Sequence, residues 1–223
     1  MIEFKNVSKS YTGSLLSSKT ILENVNFNIC KGEKIGFLGL NGAGKSTICK
    51  MISGAEPATK GKINITSTTS WPIGIFNSLS PNLTGNENIL FISKIYGLEY
   101  KVLREQVAFY SQLKSDLNQL VSTYSSGMRA RLAFFLAFSI DFDFYVCDEV
   151  TSVGDKAFRK IADEFFKEVT SQNGLILCSH NEANIKKHVD YVYLVHNNSV
   201  SKKFNLDEGI QNYNKIVQEN AIK

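Results

Sequence analysis

The segment Gly39-Leu40-Asn41-Gly42-Ala43-Gly44-Lys45-Ser46 has the residue types and spacing of a phosphate cradle, G-x-x-x-x-G-K-[ST]. It stands between an apolar run, Ile35-Gly36-Phe37-Leu38, and a helical pattern over 46–53. A strand that feeds a glycine-rich loop and then opens a helix is a nucleotide phosphate site. The glycines let backbone N–H groups turn inward around a β-phosphate without Cβ clashes. The helix N-terminus adds partial positive charge. Lys45 supplies a point charge for the β- and γ-phosphates. Ser46 offers a hydroxyl to Mg²⁺, and Thr47 adds another near the α-phosphate.

A second group of residues could complete that chemistry. Phe144-Tyr145-Val146-Cys147-Asp148-Glu149 is a hydrophobic strand ending in two carboxylates. Asp148 would hold Mg²⁺ through water, since a hard cation takes oxygen ligands. Glu149 would polarise an attacking water as general base. Strand ends in a parallel sheet open onto the ligand crevice, which makes that geometry plausible. Ser125, Ser126 and Gly127 open a long helix, so hydroxyls and N–H groups converge at its positive end. In isolation, that segment reads equally as an anion site or as an ordinary serine N-cap. His180 follows an apolar strand, whereas His188 and His196 are assigned to structure or surface.

These groups need elements to place them. Alternation over 2–7 and 25–29 predicts strands, with a polar loop over 12–18. The phosphate-loop helix stops near Gly54, and a strand follows over 62–65. A turn-rich break, 77–82, precedes Thr84-Gly85-Asn86-Glu87, a capping box. Helical pattern then dominates 84–140, between two β-containing regions, which predicts a helical subdomain inserted in an α/β core. Strands resume at 144–147, 175–178 and 191–195, with a helix around 156–170. Asn197-Asn198 suits a tight hairpin turn into 200–204, and residues 206–221 form an amphipathic C-terminal helix.

Bulk composition narrows the class. With 223 residues, 43% apolar and 21% charged, the chain is one large globular domain or a domain with a subdomain. A net charge of +4 is too mild to argue for nucleic acid. Cys30, Cys49, Cys147 and Cys178 lie in or beside apolar segments without C-x-x-C spacing, as buried free thiols of a reducing compartment do. The N-terminus lacks a secretory pattern, and the greasiest stretch, 132–140, is too short to span a bilayer. The expectation is a soluble, cytoplasmic chain that something else anchors if it works at a membrane.

The order of these segments resembles the nucleotide-binding subunit of an ATP-binding-cassette transporter, over essentially the whole chain. Tyr11 stands where an aromatic stacks on adenine, 39–47 at the Walker A loop, and Tyr124-Ser125-Ser126-Gly127-Met128 at the signature motif. Asp148 and Glu149 stand at Walker B, Ser152-Val153-Gly154-Asp155 at the D-loop, and His180 at the switch histidine. The resemblance implies an α/β fold: a P-loop NTPase core with an N-terminal antiparallel β-subdomain and the inserted helical subdomain. The single cassette domain, 1–223, divides into a core of about 1–83 and 141–205, a helical subdomain of about 84–140 and a C-terminal helix of about 206–222. It implies ATP with Mg²⁺, Glu149, His180 and Lys45 as catalytic groups, and Ser46 and Asp148 as metal ligands. Tyr11, Gly39, Leu40, Asn41, Gly42, Ala43, Gly44, Lys45, Ser46, Thr47, Ser125, Ser126, Gly127 and Asp155 would contact nucleotide. The partners implied are a second copy of the chain and integral-membrane permease subunits, with no nucleic acid and no direct contact with a glycan.

Trp71-Pro72-Ile73-Gly74-Ile75, Leu83-Thr84-Gly85-Asn86-Glu87-Asn88, the signature segment and 148–155 resemble the polysaccharide-export branch. A chain ending at Lys223 leaves no room for an appended carbohydrate-binding domain, which tilts the expectation to a capsule-exporting ATPase at the cytoplasmic face of a bacterial inner membrane. An ATPase for an O-antigen or teichoic-acid type of glycan, and a soluble cassette ATPase, are the alternatives. One departure stands out. The family carries a glutamine in the loop entering the helical subdomain, and an ungapped reading puts Ser80 there. Asn77 and Asn82 are other oxygen donors nearby, and no glutamine occurs over 77–105. The expectation is a loop that couples through packing, with a weak or water-mediated metal contact.

Overall fold

The structure is a computed structural model that describes residues 1–12, 18–74, 79–149 and 156–221. The polar loop expected over 12–18 lies mostly outside the described residues. Two compact units emerge: Met1–Pro72, Phe142–Glu149 and Gln172–Lys223 form one, and Ile73–Asp141 with Val150–Ser171 the other.

The first unit holds two sheets. Strands β1 (Ile2–Thr12), β2 (Ser18–Ile29) and β4 (Lys60–Ile65) make an antiparallel sheet in the order β2-β1-β4. The second sheet runs β5-β6-β3-β7-β8, with β9 paired to β7. Its members are β3 (Lys34–Leu38), β5 (Phe144–Asp148), β6 (Gly174–Ser179), β7 (Tyr191–His196), β8 (Ser199–Val200) and β9 (Phe204–Asn205). Strands β5, β6, β3 and β7 are parallel. They are buried almost throughout, as a parallel sheet covered on both faces requires. The alternating burial of β1 and β2 shows one wet face. Asn197 and Asn198 take φ 47° and 61°, the turn that joins β7 to β8.

Aromatic rings join the two sheets. Phe4 stacks on Phe27 at 4.2 Å, Phe27 meets Phe37 edge-on at 5.4 Å, and Phe37 stacks on Tyr193 at 5.5 Å. The Tyr193 hydroxyl donates to the Asn28 carbonyl at 2.9 Å, so the buried phenol keeps a partner. Burial pushes its pKa up to about 12. Helix α1 (Lys45–Ile52) buries Ile48, Cys49, Met51 and Ile52 against this core and stops at Ser53 and Gly54. Helices α6 (Glu182–His188) and α7 (Leu206–Ala221) complete the unit.

The second unit is helical. Helix α2 (Gly85–Tyr96) begins in a full capping box, Thr84 with Glu87, and ends at Gly97 in the left-handed region. Helices α3 (Tyr100–Ser111), α4 (Ser126–Phe138) and α5 (Lys156–Gln172) pack through rings. Tyr110 lies 4.3 Å from Phe165 and 5.7 Å from Phe135, and Phe138 meets Phe166 at 5.2 Å. These rings bring α5 into the helical unit, although sequence order sets it after the Asp148 strand.

Asn88 is the polar centre of this unit. Only 3% exposed, it accepts from the Ser80 N–H at 2.8 Å and donates to the carbonyls of Ser80 at 3.1 Å and Thr84 at 2.9 Å. Asn88→Ala strips these bonds from one buried amide, so a loss of about 1–3 kcal/mol is expected. Urea unfolding followed by circular dichroism measures it, and an unchanged midpoint would show that the loop needs no such clamp.

Candidate functional site

Parallel register brings three strand ends to one edge. Leu38, the residue before the glycine loop, pairs with Ser179, the residue before His180. Asp148 pairs with Cys178 on the other side of β6. Lys45, Ser46, Asp148, Glu149 and His180 therefore gather at the carboxyl edge of the parallel sheet. The signature segment belongs to the helical unit.

The glycine loop is built for close approach. Gly42 and Gly44 take φ 78° and 110°, which an L side chain rarely adopts. A Cβ on Gly39 would collide with the Val195 carbonyl. One on Gly44 would lie 3.0 Å from Ile21 Cγ2 and 3.3 Å from Leu22 Cδ2, so β2 of the antiparallel sheet passes directly behind the loop. Lys45 is 6% exposed and folds back on its own loop, donating to the carbonyls of Gly39 at 2.8 Å and Leu40 at 3.0 Å. Its ammonium is thus held inside the curve of the loop. No acidic residue occupies the first turn of α1, which leaves the positive helix end uncompensated for an anion. Leu40 is half-buried, Asn41 and Ser46 are exposed, and Ala43 and Thr47 are half-buried along this rim.

Asp148 is 8% exposed and lies beside the Ser46 hydroxyl. Burial raises its pKa above the usual carboxylate value, and the neighbouring Glu149 charge adds to the rise. The Ser46 hydroxyl and the Lys45 and Lys50 charges oppose it. Behind it, Cys49 Sγ lies 3.1 Å from Cys178 Sγ. The Cys178 contact, then burial, hold the Cys49 thiol well above its usual range. The Cys49 thiol therefore stays protonated, and the oxygen donors facing the loop are those of Ser46 and Asp148. That hard set fits Mg²⁺, and the glycine loop with Lys45 fits a polyphosphate.

Glu149 has φ 57°, an uncommon conformation for a residue with a side chain, and its N–H donates to the Cys178 carbonyl at 3.0 Å. The turn leaves its carboxylate 49% exposed, with Oε1 2.7 Å from His180 Nδ1. A carboxylate and an imidazole are thereby paired at the sheet edge, 31 residues apart in sequence.

The other expected residues lie on other elements. Tyr11 is 39% exposed on β1, with Lys9 Nζ 4.9 Å from its ring centroid and its hydroxyl bonded to Glu56. Ser125 is the N-cap of α4 and accepts from the Met128 N–H at 3.2 Å, while Ser126 and Gly127 form the first turn. The capping role thus holds for Ser125, and its hydroxyl proton remains able to donate. Ser80 is exposed at the entry to the helical unit. Asp155 and Asn77 lie outside the described residues. Glu56 lies in no motif, and the bonds that Asn88, the last residue of the Leu83–Asn88 string, makes to Ser80 were not anticipated. Glu56 meets Tyr11 from 45 residues away, and no local spacing signals that contact.

Residues 22–152 match the ABC transporter family. The chain belongs to that family. It is an ATPase coupled to transport, with the cassette fold. It is 39% identical to the ATP-binding protein BexA of Haemophilus influenzae, over 96% of this chain and 98% of that one. It is 38% identical to the capsule polysaccharide export ATP-binding protein CtrD of Neisseria meningitidis serogroup B, over 97% and 100%. A solved ATP-binding subunit of an ABC transporter superposes with a TM-score of 0.81 at 25% identity, covering 96% of this chain and 93% of that one.

The raised pKa of Asp148 gives a stability test with a definite sign. Above the folded-state pKa, the buried carboxylate is charged and disfavours folding. Below the ordinary carboxylate value it is neutral in both states and contributes nothing. Asp148→Asn is therefore expected to raise the melting temperature of the nucleotide-free cassette at pH 7. The gain should shrink as pH falls through that window. A lower melting temperature at pH 7 would mean that the Ser46 and Lys45 contacts outweigh desolvation.

Proposed function

We propose that this cassette powers export of a capsular polysaccharide through a separate permease. The pairing of Glu149 with His180 beside the Lys45 loop carries the hydrolytic part of this reading. The capsule part rests on end-to-end similarity to a protein named for capsule export. ATP binds with its phosphates in the loop 39–46, held by inward N–H groups, Lys45 and the Ser46 and Thr47 hydroxyls, and with its base against Tyr11. Ser46 and, through water, Asp148 would hold Mg²⁺, which would supply positive charge against the phosphates.

Glu149 takes a proton from the attacking water, whose oxygen bonds to the γ-phosphorus as the bond to the β–γ bridging oxygen breaks. ADP and inorganic phosphate result. His180, hydrogen-bonded to Glu149, orients that water and the γ-phosphate. Two copies close head to tail, so that Ser125, Ser126 and Gly127 of each copy cap the γ-phosphate of the other. Closure excludes water and strengthens the local electrostatics.

The helical unit supplies the output. Phe91, Ile95, Val102 and Phe109 are 58%, 57%, 58% and 75% exposed on α2 and α3, an apolar cost that a docked permease helix removes. Among the described residues no helix is long and apolar enough to cross a membrane, consistent with peripheral attachment at the cytoplasmic face. The loop at Ser80 transmits nucleotide state through its bonds to Asn88 rather than through a direct metal contact.

Glu149→Gln tests the chemistry. It should bind ATP, accumulate as a dimer in size-exclusion chromatography and hydrolyse about 10²–10⁴-fold more slowly. A monomer that hydrolyses at the wild-type rate would refute the composite site. In the native host the same variant should leave capsular polymer inside the cell. Normal capsule with loss of another surface glycan would instead favour the O-antigen or teichoic-acid alternative.

A further inference from the structure

Glu56 collects an unusual number of partners for a residue outside any motif. Its carboxylate accepts from the Tyr11 hydroxyl, pairs with Lys50 Nζ at 3.0 Å and pairs with Lys9 Nζ at 3.3 Å. Lys9 is itself 8% exposed, donates to the Pro57 carbonyl at 2.9 Å and covers one face of the Tyr11 ring. Lys50 lies in the last turn of α1, the helix that begins at Lys45 in the phosphate loop. One carboxylate therefore joins the aromatic ring on β1 to the far end of the phosphate-loop helix.

We propose that Glu56 is a positioning residue for the nucleotide base: it locks the Tyr11 ring at a fixed place relative to the phosphate loop. With Lys9 on one face, the ring presents its other face to the base. The proposal rests on the reading that Tyr11 stacks on the base of ATP. The chemistry supports a durable tether. Burial alone would raise the Glu56 pKa, but the bonds from Tyr11, Lys50 and Lys9 outweigh it and keep the carboxylate ionised. The same contact raises the pKa of Lys50, so both ends stay charged. A ring held in place loses less freedom when a base stacks on it, which is where the affinity comes from.

The tether acts on the base and not on the phosphates, and that separates it from a structural role. Dissociation constants for Mg·ATP and for Mg·tripolyphosphate, which has no base, are measured on the full chain by competition with a fluorescent ATP analogue. Glu56→Ala and Tyr11→Phe should each weaken ATP binding about three- to tenfold and leave tripolyphosphate unchanged. The double variant should be no weaker than either single one, because both remove the same bond. Glu56→Gln retains an acceptor oxygen and should recover most of the affinity. Thermal melts followed by circular dichroism confirm that each variant is folded.

Equal weakening of ATP and tripolyphosphate would overturn the proposal, since Glu56 would then be supporting the phosphate loop. If Tyr11→Ala weakens ATP while Tyr11→Phe and Glu56→Ala do not, the ring stacks without the tether and the proposal alone fails. If Tyr11→Ala leaves ATP affinity unchanged, the stacking reading falls and the proposal falls with it.

Discussion

The site depends first on the parallel pairing of β6 with β3 on one side and β5 on the other. Leu38 opposite Ser179 and Asp148 opposite Cys178 bring the phosphate loop, the acidic strand end and His180 to one edge. A slip of one residue in either pairing would turn every side chain of the slipped strand to the opposite face and move a strand end by about 3.3 Å. The apolar content of these strands guards against that slip. Ile35, Phe37, Val146, Ile176 and Cys178 are all fully buried, so any other register would force core side chains out of their packing.

Such an edge concentrates strain and charge. Glu149 adopts a left-handed backbone conformation, and Asp148 is a desolvated carboxylate. Lys45 is a nearly buried ammonium satisfied by carbonyls of its own loop. In isolation each arrangement is unfavourable, and the surrounding core makes each tolerable. The aromatic chain Phe4-Phe27-Phe37-Tyr193 fixes the antiparallel sheet against β3, and that sheet backs the loop at Gly44 through Ile21 and Leu22. The site is thus preorganised by apolar packing on one side and left polar on the other, as electrostatic catalysis requires.

What could be read from sequence follows from range. The glycine loop, the capping box at Thr84, the Asn197-Asn198 turn and the Gly54 stop are local, and each was legible because a few neighbouring residues determine the conformation. The phosphate loop and the Asp148 strand were legible as motifs, and their juxtaposition followed from strand order. Contacts between distant residues with no motif were not. Glu56 finds Tyr11, and Cys49 finds Cys178, only after the chain has folded. The packing of α5 against α3 and α4 rests on contacts of the same kind. Its place in sequence says nothing of the ring cluster Tyr110, Phe135, Phe138, Phe165 and Phe166 that holds it.

The serine at position 80 acquires a meaning from Asn88. A serine hydroxyl sits one bond beyond Cβ, whereas a glutamine amide sits two carbons further out, so Ser80 cannot reach what a glutamine reaches. The loop is instead gripped through its backbone: Ser80 N–H and carbonyl both bond to one buried amide on α2. The grip ties the Ser80 backbone to α2, the helix that carries the exposed Phe91 and Ile95. A side-chain contact to metal transmits only while the metal is present. A backbone clamp transmits any displacement of the loop, whatever causes it. In the proposed transporter, the signal from nucleotide to permease would then depend on loop position rather than on a ligand bond, which suits a loop whose side chain is too short to make one.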